Sequence, residues 1–399
     1  MVLDIVEAYD WDPTSYTPIT GRQVGSDSVS IAIARLWKKK RQQSRTYANK
    51  LKMKEFLETD LFSDYKLSIT GSSANGYGFN DSDVDMCLQV GEPTTQTPNL
   101  TLMMTRVCIS DLRNLFQLRN SFSPLVCDPC KILRNLRTQM AGNKVYKRPI
   151  VIAAICPLLT FTYERSRHSP MSVEINVNSQ VGIVNTQFLY AYSRMDGRVA
   201  PLVGACKRWA TIMGIKDAHK STLSSYSLTL MVINYLQQQE VVPVLHNLVP
   251  EFESGLGFKG GDRLILPRYA STNSQNLGTL FKGFLAYFSA FDFENICISV
   301  REGRTLTKQE GIDQDPDIPH NNHSSRADWK FINIQEPFNL TNTARAVYQP
   351  KAFRKVRDVF KISHQTINQR GGIEHLLGLS ESDMIGWKRT DGRESEKPS

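Results

Sequence analysis

The stretch Gly71-Ser-Ser-Ala-Asn-Gly-Tyr-Gly-Phe-Asn-Asp-Ser-Asp-Val-Asp-Met-Cys-Leu88 sets the reading of the whole chain. An alternating run, Tyr65-Lys-Leu-Ser-Ile-Thr70, leads into it and is predicted to be a strand with Leu67 and Ile69 on one face. Gly71-Ser72 then turns the chain, and residues this small let backbone N–H groups approach a phosphate closely. A second strand is predicted next, with Val84, Met86 and Leu88 on one face. Asp83 and Asp85 fall on the other, because alternate side chains of a strand point the same way. Two carboxylates on one strand face repel each other, and a divalent cation between them makes the pair tolerable. An isolated D-x-D is more simply a polar hairpin. A strand, a Gly-Ser turn and a second strand in this order favour a phosphate-holding turn beside a metal-holding pair, as two-metal nucleotidyl or phosphoryl transfer requires.

A chain of 399 residues is expected to form two or three domains with ample core. Its hydrophobic content of 41% and charged content of 22% are those of an ordinary soluble globular protein. The net charge of +9 leans towards a polyanionic partner. Cysteines at 87, 108, 127, 130, 156, 206 and 297 are odd in number and irregular in spacing, which argues for reduced thiols in an intracellular compartment. Cys127-Asp-Pro-Cys130 lacks a second pair at zinc spacing and is not read as a metal or redox site. With no N-terminal apolar segment and no run of 18 apolar residues, neither secretion nor membrane spanning is expected.

Taken in order, residues 1–25 are polar and turn-rich. A helix is expected from Asp27, with Val29, Ile31, Ile33, Leu36 and Trp37 apolar. It ends in Lys38-Lys-Lys-Arg41, read as a solvated helix face rather than a nucleic-acid patch. A second helix at 47–57 precedes the opening motif. Beyond a polar loop at 91–98, residues 149–157 and 158–163 are expected to be buried strand. Ser172-Val-Glu-Ile-Asn-Val-Asn178 alternates Val173, Ile175 and Val177 with Glu174 and Asn176, so Glu174 on its polar face is positioned to be a third metal-site acid. From Asn185 the pattern turns helical. Residues 224–236 are apolar on nearly all sides and suit the central helix of a second domain; 277–291 form an amphipathic helix. Residues 302–328, with His320-Asn-Asn-His323, are read as an exposed loop without a zinc site. A short strand at 331–334 precedes Glu336-Pro-Phe-Asn-Leu-Thr-Asn-Thr-Ala-Arg345, and 388–399 reads as a disordered tail. Strands mixed with helices before about 180 imply an α/β or α+β sheet domain, followed by a helical half; the α+β class is the one adopted.

Assembled, these residues resemble the template-independent RNA nucleotidyltransferases of the polymerase-beta superfamily, most of all the cytoplasmic germline-type poly(A) polymerases, relatives of the terminal uridylyltransferases. The resemblance covers roughly residues 28–360 and rests on several blocks. They are Gly71-Ser-Ser with Asp83-Val-Asp85, Asn176-Val-Asn178 with Val181-Gly-Ile-Val-Asn-Thr186, and Arg198-Val-Ala-Pro-Leu-Val203 with Lys207-Arg-Trp-Ala210. Downstream lie Thr222-Leu-Ser-Ser-Tyr-Ser-Leu228, Ile298-Ser-Val-Arg-Glu302, and Glu336-Pro-Phe with Asn342-Thr-Ala-Arg-Ala-Val347.

The resemblance implies a mixed-sheet nucleotidyltransferase domain at 46–182 facing a helical central, PAP-associated domain at 183–387 across a cleft. Residues 1–45 would join the central domain, and 336–345 would form the loop that senses the base. The implied activity is RNA 3′-end adenylyl transfer, from ATP to the RNA 3′-OH with release of pyrophosphate. Carried over, Gly71 and Ser72 hold the triphosphate, and Asp83, Asp85 and Glu174 hold two Mg²⁺ ions, with Mn²⁺ as the alternative. Asn185 contacts the ribose, Lys207 reaches the terminal phosphates, Ser225 touches the nucleotide, Tyr226 stacks on the base and Glu336 opens the base-sensing loop. No RNA-recognition, KH or zinc-knuckle module is recognisable, so an RNA-binding adapter protein is the implied partner beside ATP and the RNA 3′ end. The implied location is the cytoplasm, with nuclear access left open.

Two departures stand out. The family's third acid is an aspartate, and Glu174 extends that carboxylate by one methylene. A misplacement of about 1 Å can cost on the order of 100-fold in rate, so an impaired scaffold is one alternative. Uridylyltransferases carry a histidine after the E/D-P-F segment; Leu340-Thr-Asn342 has none, which favours ATP over UTP. A terminal uridylyltransferase or mixed-nucleotide tailing enzyme is the other alternative. Asp81 lies in the turn and is not assigned to the metal.

Overall fold

Alternation along the strands builds the first layer of the fold. The computed structural model describes residues 6–9, 11–62, 65–90, 128–154, 156–165, 170–255, 257, 264–318 and 327–380. In chain order the strands are β1 (Val6–Tyr9), β2 (Lys66–Thr70), β3 (Val84–Gln89), β4 (Tyr146–Ile152), β5 (Leu158–Tyr163), β6 (Met171–Val177), β7 (Leu264–Pro267), β8 (Ile296–Ser299), β9 (Arg304–Thr307) and β10 (Asn333–Gln335). The helices used below are α1 (Ser28–Lys40), α2 (Ser44–Leu61), α3 (Pro129–Met140), α4 (Gln180–Met195), α5 (Val199–Ile212), α6 (Ser225–Gln238), α7 (Leu277–Ser289), α8 (Lys308–Gln314), α9 (Pro350–Thr366) and α10 (Gly372–Leu377).

Five strands form one mixed sheet in the order β2-β3-β6-β5-β4. Only the central pair, β3 and β6, is parallel; the other neighbours are antiparallel. Val84, Met86 and Leu88 of β3 and Val173, Ile175 and Val177 of β6 turn to one face, where Met53 and Leu57 of α2 and Leu133, Leu136 and Met140 of α3 cover them. Asp85 and Glu174 consequently point to the uncovered face.

The second core is mostly helical and includes α1, whose Val29, Ala32, Ile33, Leu36 and Trp37 pack among α4, α5, α6, α7, α9 and α10. Side-chain caps start these helices: Asp27 accepts from the Val29 and Ser30 amides, Ser224 from Ser227 and Asn276 from Thr279. A Cβ on Gly204 of α5 would lie 2.8 Å from Trp37, so the glycine is what lets α5 and α1 approach. α6 is buried along almost its whole length, as its all-round apolar character requires.

Several expectations need correction. Residues 149–157 are not one buried strand: β4 starts at Tyr146 and ends at Ile152. It forms the sheet edge, with Ile150 56% exposed. The stretch 302–328 is not wholly loop. It holds β9, which pairs with β8, and then α8, whose Thr307–Glu310 capping box starts a helix in a polar sequence. The mainly helical half therefore carries its own sheet, β10-β8-β9, and the strand expected at 331–334 is β10, shifted towards Gln335. Helix α4 begins at Gln180, ahead of the expected turn to helix at Asn185. The Lys38–Arg41 cluster is only partly solvated: Lys40 pairs with Asp81 at 3.7 Å, and Arg41 lies over the Tyr16 ring. The 91–98 loop, Cys127, His320, His323 and the 388–399 tail lie outside the described residues. Among the described residues, no helix is long and apolar enough to cross a membrane.

Phe188 of α4 is fully buried and meets Tyr192, His246, Phe252 and Phe338 at ring-centroid distances of 4.9–5.3 Å. Phe188→Ala is expected to cost about 3–5 kcal/mol in urea unfolding followed by fluorescence.

Candidate active site

β3 and β6 run side by side with Asp85 directly opposite Glu174, so two carboxylates from distant parts of the chain become neighbours on one sheet face. Asp83 precedes β3 and is exposed at its mouth. Burial, with Glu174 and Asp83 beside it, pushes the Asp85 carboxyl up to about 7, against the pull of Lys207 and Lys50. Glu174 is raised as well, by burial and Asp83, with His219 opposing.

A hard divalent cation takes oxygen ligands, and three carboxylates on one face are a donor set of that kind. The side chains are not yet gathered round a point: among the described residues, no group of three His, Cys, Asp or Glu is arranged as a finished cage. Adjacent strands stand about 4.8 Å apart, a spacing that side-chain rotation can bridge. In donor chemistry the three carboxylates suit such an ion.

Gly71 sits against this pair. It takes φ +61°, and a Cβ there would stand 2.8 Å from Asp85 Cγ. Its amide donates to Thr186 Oγ1 at 3.0 Å, which anchors the Gly71–Ser73 turn to α4. Ser72 lies in the same turn, partly exposed.

The helical half supplies the opposite wall. Lys207 of α5 is buried, donates to the Tyr77 carbonyl at 3.2 Å and lies 5.9 Å above the Phe79 ring. Burial and the neighbouring Lys216 and Lys50 lower it to about 8, although Asp85 pulls the other way. Lys216 donates to Ser225 Oγ at 3.3 Å and is lowered by burial, with Asp83 opposing. Ser225 opens α6, so its hydroxyl stands at a helix N-terminus, where anions are favoured.

Tyr226, Asn185 and Glu336 form a closed group. The Tyr226 hydroxyl donates to Asn185 Oδ1 at 2.6 Å and is 3.0 Å from Glu336 Oε1, while the Asn185 side chain also bonds to Glu336. Glu336 Oε2 accepts from the Phe338 and Asn339 amides at 2.7 and 2.5 Å. Burial raises Glu336 and these bonds hold it down. Glu336 is 4% exposed, so here it fixes Tyr226 and its own loop rather than presenting a bare carboxylate. Asn342 is likewise consumed by the fold. Its Oδ1 accepts from the Ile334 and Ala344 amides, and its Nδ2 donates to the Asp328 and Ile332 carbonyls.

Of the ten residues singled out in the sequence, Asp83, Asp85, Glu174, Gly71 and Lys207 come together, Ser225 is joined to Lys216, and Tyr226, Asn185 and Glu336 form a group of their own. Lys50, Lys216, His219 and Thr186 were not singled out. Lys50 left a signal: with Met53 and Leu57 it occupies the buried stripe of α2, where a lysine is out of place.

Residues 29–194 match the family described as "Poly(A) RNA polymerase, mitochondrial-like, central palm domain", and residues 276–342 match "Cid1 family poly A polymerase". Over 373 residues the chain is 32% identical to the poly(A) RNA polymerase GLD2 of Bos taurus, covering 88% of this chain and 67% of the relative. The chain belongs to the GLD2-type poly(A) RNA polymerase family. The gld-2 homolog B of Drosophila melanogaster is 33% identical over 364 residues, 87% of this chain, and this chain spans 24% of that relative's length. Among solved structures, a chain of the GLD-2/RNP-8 complex superposes with a TM-score of 0.67 at 26% identity, covering 89% of this chain and 99% of that one. Cid1 bound to its short product ApU superposes with a TM-score of 0.63 at 20% identity, covering 88% and 98%, a likeness of fold.

Gly71→Ala would meet both the positive φ and the Asp85 carboxylate, so it is expected to lower turnover on the order of 100-fold in a primer-extension assay while the protein stays folded by circular dichroism. The folded-state value of Asp85, near 7, lies above the ordinary carboxylate range. Its ionisation therefore costs the metal-free protein stability, little at low pH and fully above about 7. In EDTA, Asp85→Asn should melt about 2 °C or more above wild type near pH 8, with the gap narrowing towards about pH 5. Differential scanning fluorimetry across that range checks it.

Proposed function

We propose that this chain transfers AMP from ATP to the 3′-OH of RNA, releasing pyrophosphate. The observation that carries this reading is the register pairing of Asp85 with Glu174, with Asp83 and Lys207 close enough to act on Asp85. Asp83, Asp85 and Glu174 would hold the divalent ions, Mg²⁺ or Mn²⁺, which when bound supply Lewis-acid stabilisation of charge at the α-phosphate and the attacking oxygen. The chain's own groups do the rest. The Gly71–Ser73 turn, held through the Gly71 amide by Thr186, would present Ser72 to the triphosphate. Lys207 and Lys216 offset charge on the leaving pyrophosphate. The Tyr226 ring, held at its hydroxyl by Asn185 and Glu336, would give the base a stacking surface, and Asn185 would contact the ribose.

The preference for ATP rests on the Leu340–Asn342 turn. It lacks a histidine, and its Asn342 side chain is already used within the fold. An RNA-binding adapter is part of the same reading, since solved structures of GLD-2 contain RNP-8 or GLD-3. So is a cytoplasmic setting, consistent with the free thiols at Cys87, Cys130, Cys156, Cys206 and Cys297.

The test gives purified protein one RNA primer and each of the four nucleoside triphosphates separately. Extension with ATP should exceed that with UTP by about tenfold or more. Asp83→Ala, or EDTA, should abolish it, a loss on the order of 1,000-fold. Glu174→Asp is expected to lose about tenfold, as a site tuned to the longer side chain would. Faster addition of UTP would reverse the base assignment. ATP binding without extension would make the chain a nucleotide-binding scaffold.

A further inference from the structure

Lys50 lies on α2, in a layer of apolar side chains, and is 1% exposed. A buried ammonium is costly unless its hydrogen bonds are met, and even then an apolar side chain of similar size would suit the layer better. Its Nζ donates to Gln42 Oε1 at 2.9 Å, Ser73 Oγ at 2.8 Å and the Ser82 carbonyl at 3.2 Å, all neutral oxygens. Because Lys50 donates to Ser73 Oγ, the Ser73 hydroxyl proton is directed onwards, to the Asp83 carbonyl at 3.0 Å. Gln42, also buried, donates from Nε2 to the Ser73 carbonyl at 2.9 Å, and its amide donates to the Gly78 carbonyl at 2.8 Å. The phosphate turn ends at Ser73 and the acid pair begins at Asp83, so one ammonium joins the two ends of the loop between them.

We propose that Lys50 is a positioning residue for nucleotidyl transfer and the resident counter-cation of the acid site, clamping the Gly71–Ser73 turn to the backbone that presents Asp83 and Asp85. This rests on the reading of those acids as divalent-ion ligands. The charge of Lys50 acts on Asp85, Asp83 and Asp81 through the loop, without an ion pair that would tie up a carboxylate. It lessens the repulsion among the acids and leaves their oxygens free. The hydrogen bonds set the position of the acids, and the charge sets how strongly they attract a cation; the two effects separate experimentally.

Lys50→Met keeps the stem and removes both charge and donors, whereas Ser73→Ala breaks the link and keeps the charge. Mn²⁺ binding to purified full-length protein is read by electron paramagnetic resonance, and kcat and KM for ATP by primer extension. Lys50→Met should bind Mn²⁺ about 5-fold more tightly than wild type, because a like charge has gone, yet lose on the order of 100-fold in kcat with KM changed less than about 3-fold. Ser73→Ala should lose kcat in the same sense without tightening Mn²⁺. A residue that merely supported the fold would weaken metal binding and kcat together. Unchanged or weaker Mn²⁺ binding in Lys50→Met, or wild-type kcat in either variant, overturns the proposal. Should Lys50→Met not fold, wild-type kcat in Ser73→Ala and Gln42→Leu overturns it, and lowered kcat in both sustains it. Wild type that binds no Mn²⁺ overturns the reading of the acids as well, a result distinct from failure in the variants alone.

Discussion

Asp83, Asp85 and Glu174 occupy one sheet face, and their mutual repulsion is the constraint around which the rest of the molecule is arranged. The sheet cannot turn them inwards, because alternation has committed Val84, Met86, Val173 and Ile175 to the covered face. It cannot leave them isolated either, because β3 and β6 are in register. The structure answers with positive charge from two directions. Lys50 approaches from behind, through the hairpin loop, and Lys207 and Lys216 approach from the helical wall. Each of these lysines is held below its ordinary value by burial and opposed by an aspartate of the site. Burial and mutual repulsion thus raise the Asp85 and Glu174 carboxyls, while burial lowers the three ammoniums.

The turn that Glu336 opens is organised by a second, milder constraint. A buried carboxylate must have its hydrogen bonds met, and Glu336 meets them from Tyr226, Asn185 and the amides of its own turn. Phe338 of the same turn packs on Phe188, His246 and Phe252, so the Glu336 turn is continuous with the aromatic core of the helical half.

The main outlines of this arrangement were legible before any coordinates. The strand-turn-strand pattern around Gly71 is local, and period-2 alternation assigned Asp85 and Glu174 to polar faces without knowledge of their pairing. The helices at 28–40, 225–238 and 277–289 followed from their apolar pattern. What went astray was also local. The Thr307–Glu310 capping box begins a short helix inside a polar run that reads as loop, and the edge position of β4 exposes Ile150 although its sequence is apolar. Lys50 was passed over because a lysine on a helix is ordinarily solvated; the apolar spacing around it was the available signal.

By itself, the sequence determined the α+β class, the polar faces of β3 and β6, the need for glycine at the turn and the chemical kind of the site. These follow from side-chain period and backbone sterics, which act over a few residues. The tertiary structure decided that Glu174 stands opposite Asp85, that Glu336 holds Tyr226, and that Lys50 ties Ser73 to the loop before Asp83. Strand register and burial depend on contacts between residues far apart in the chain, and no local pattern states which strand will lie beside which.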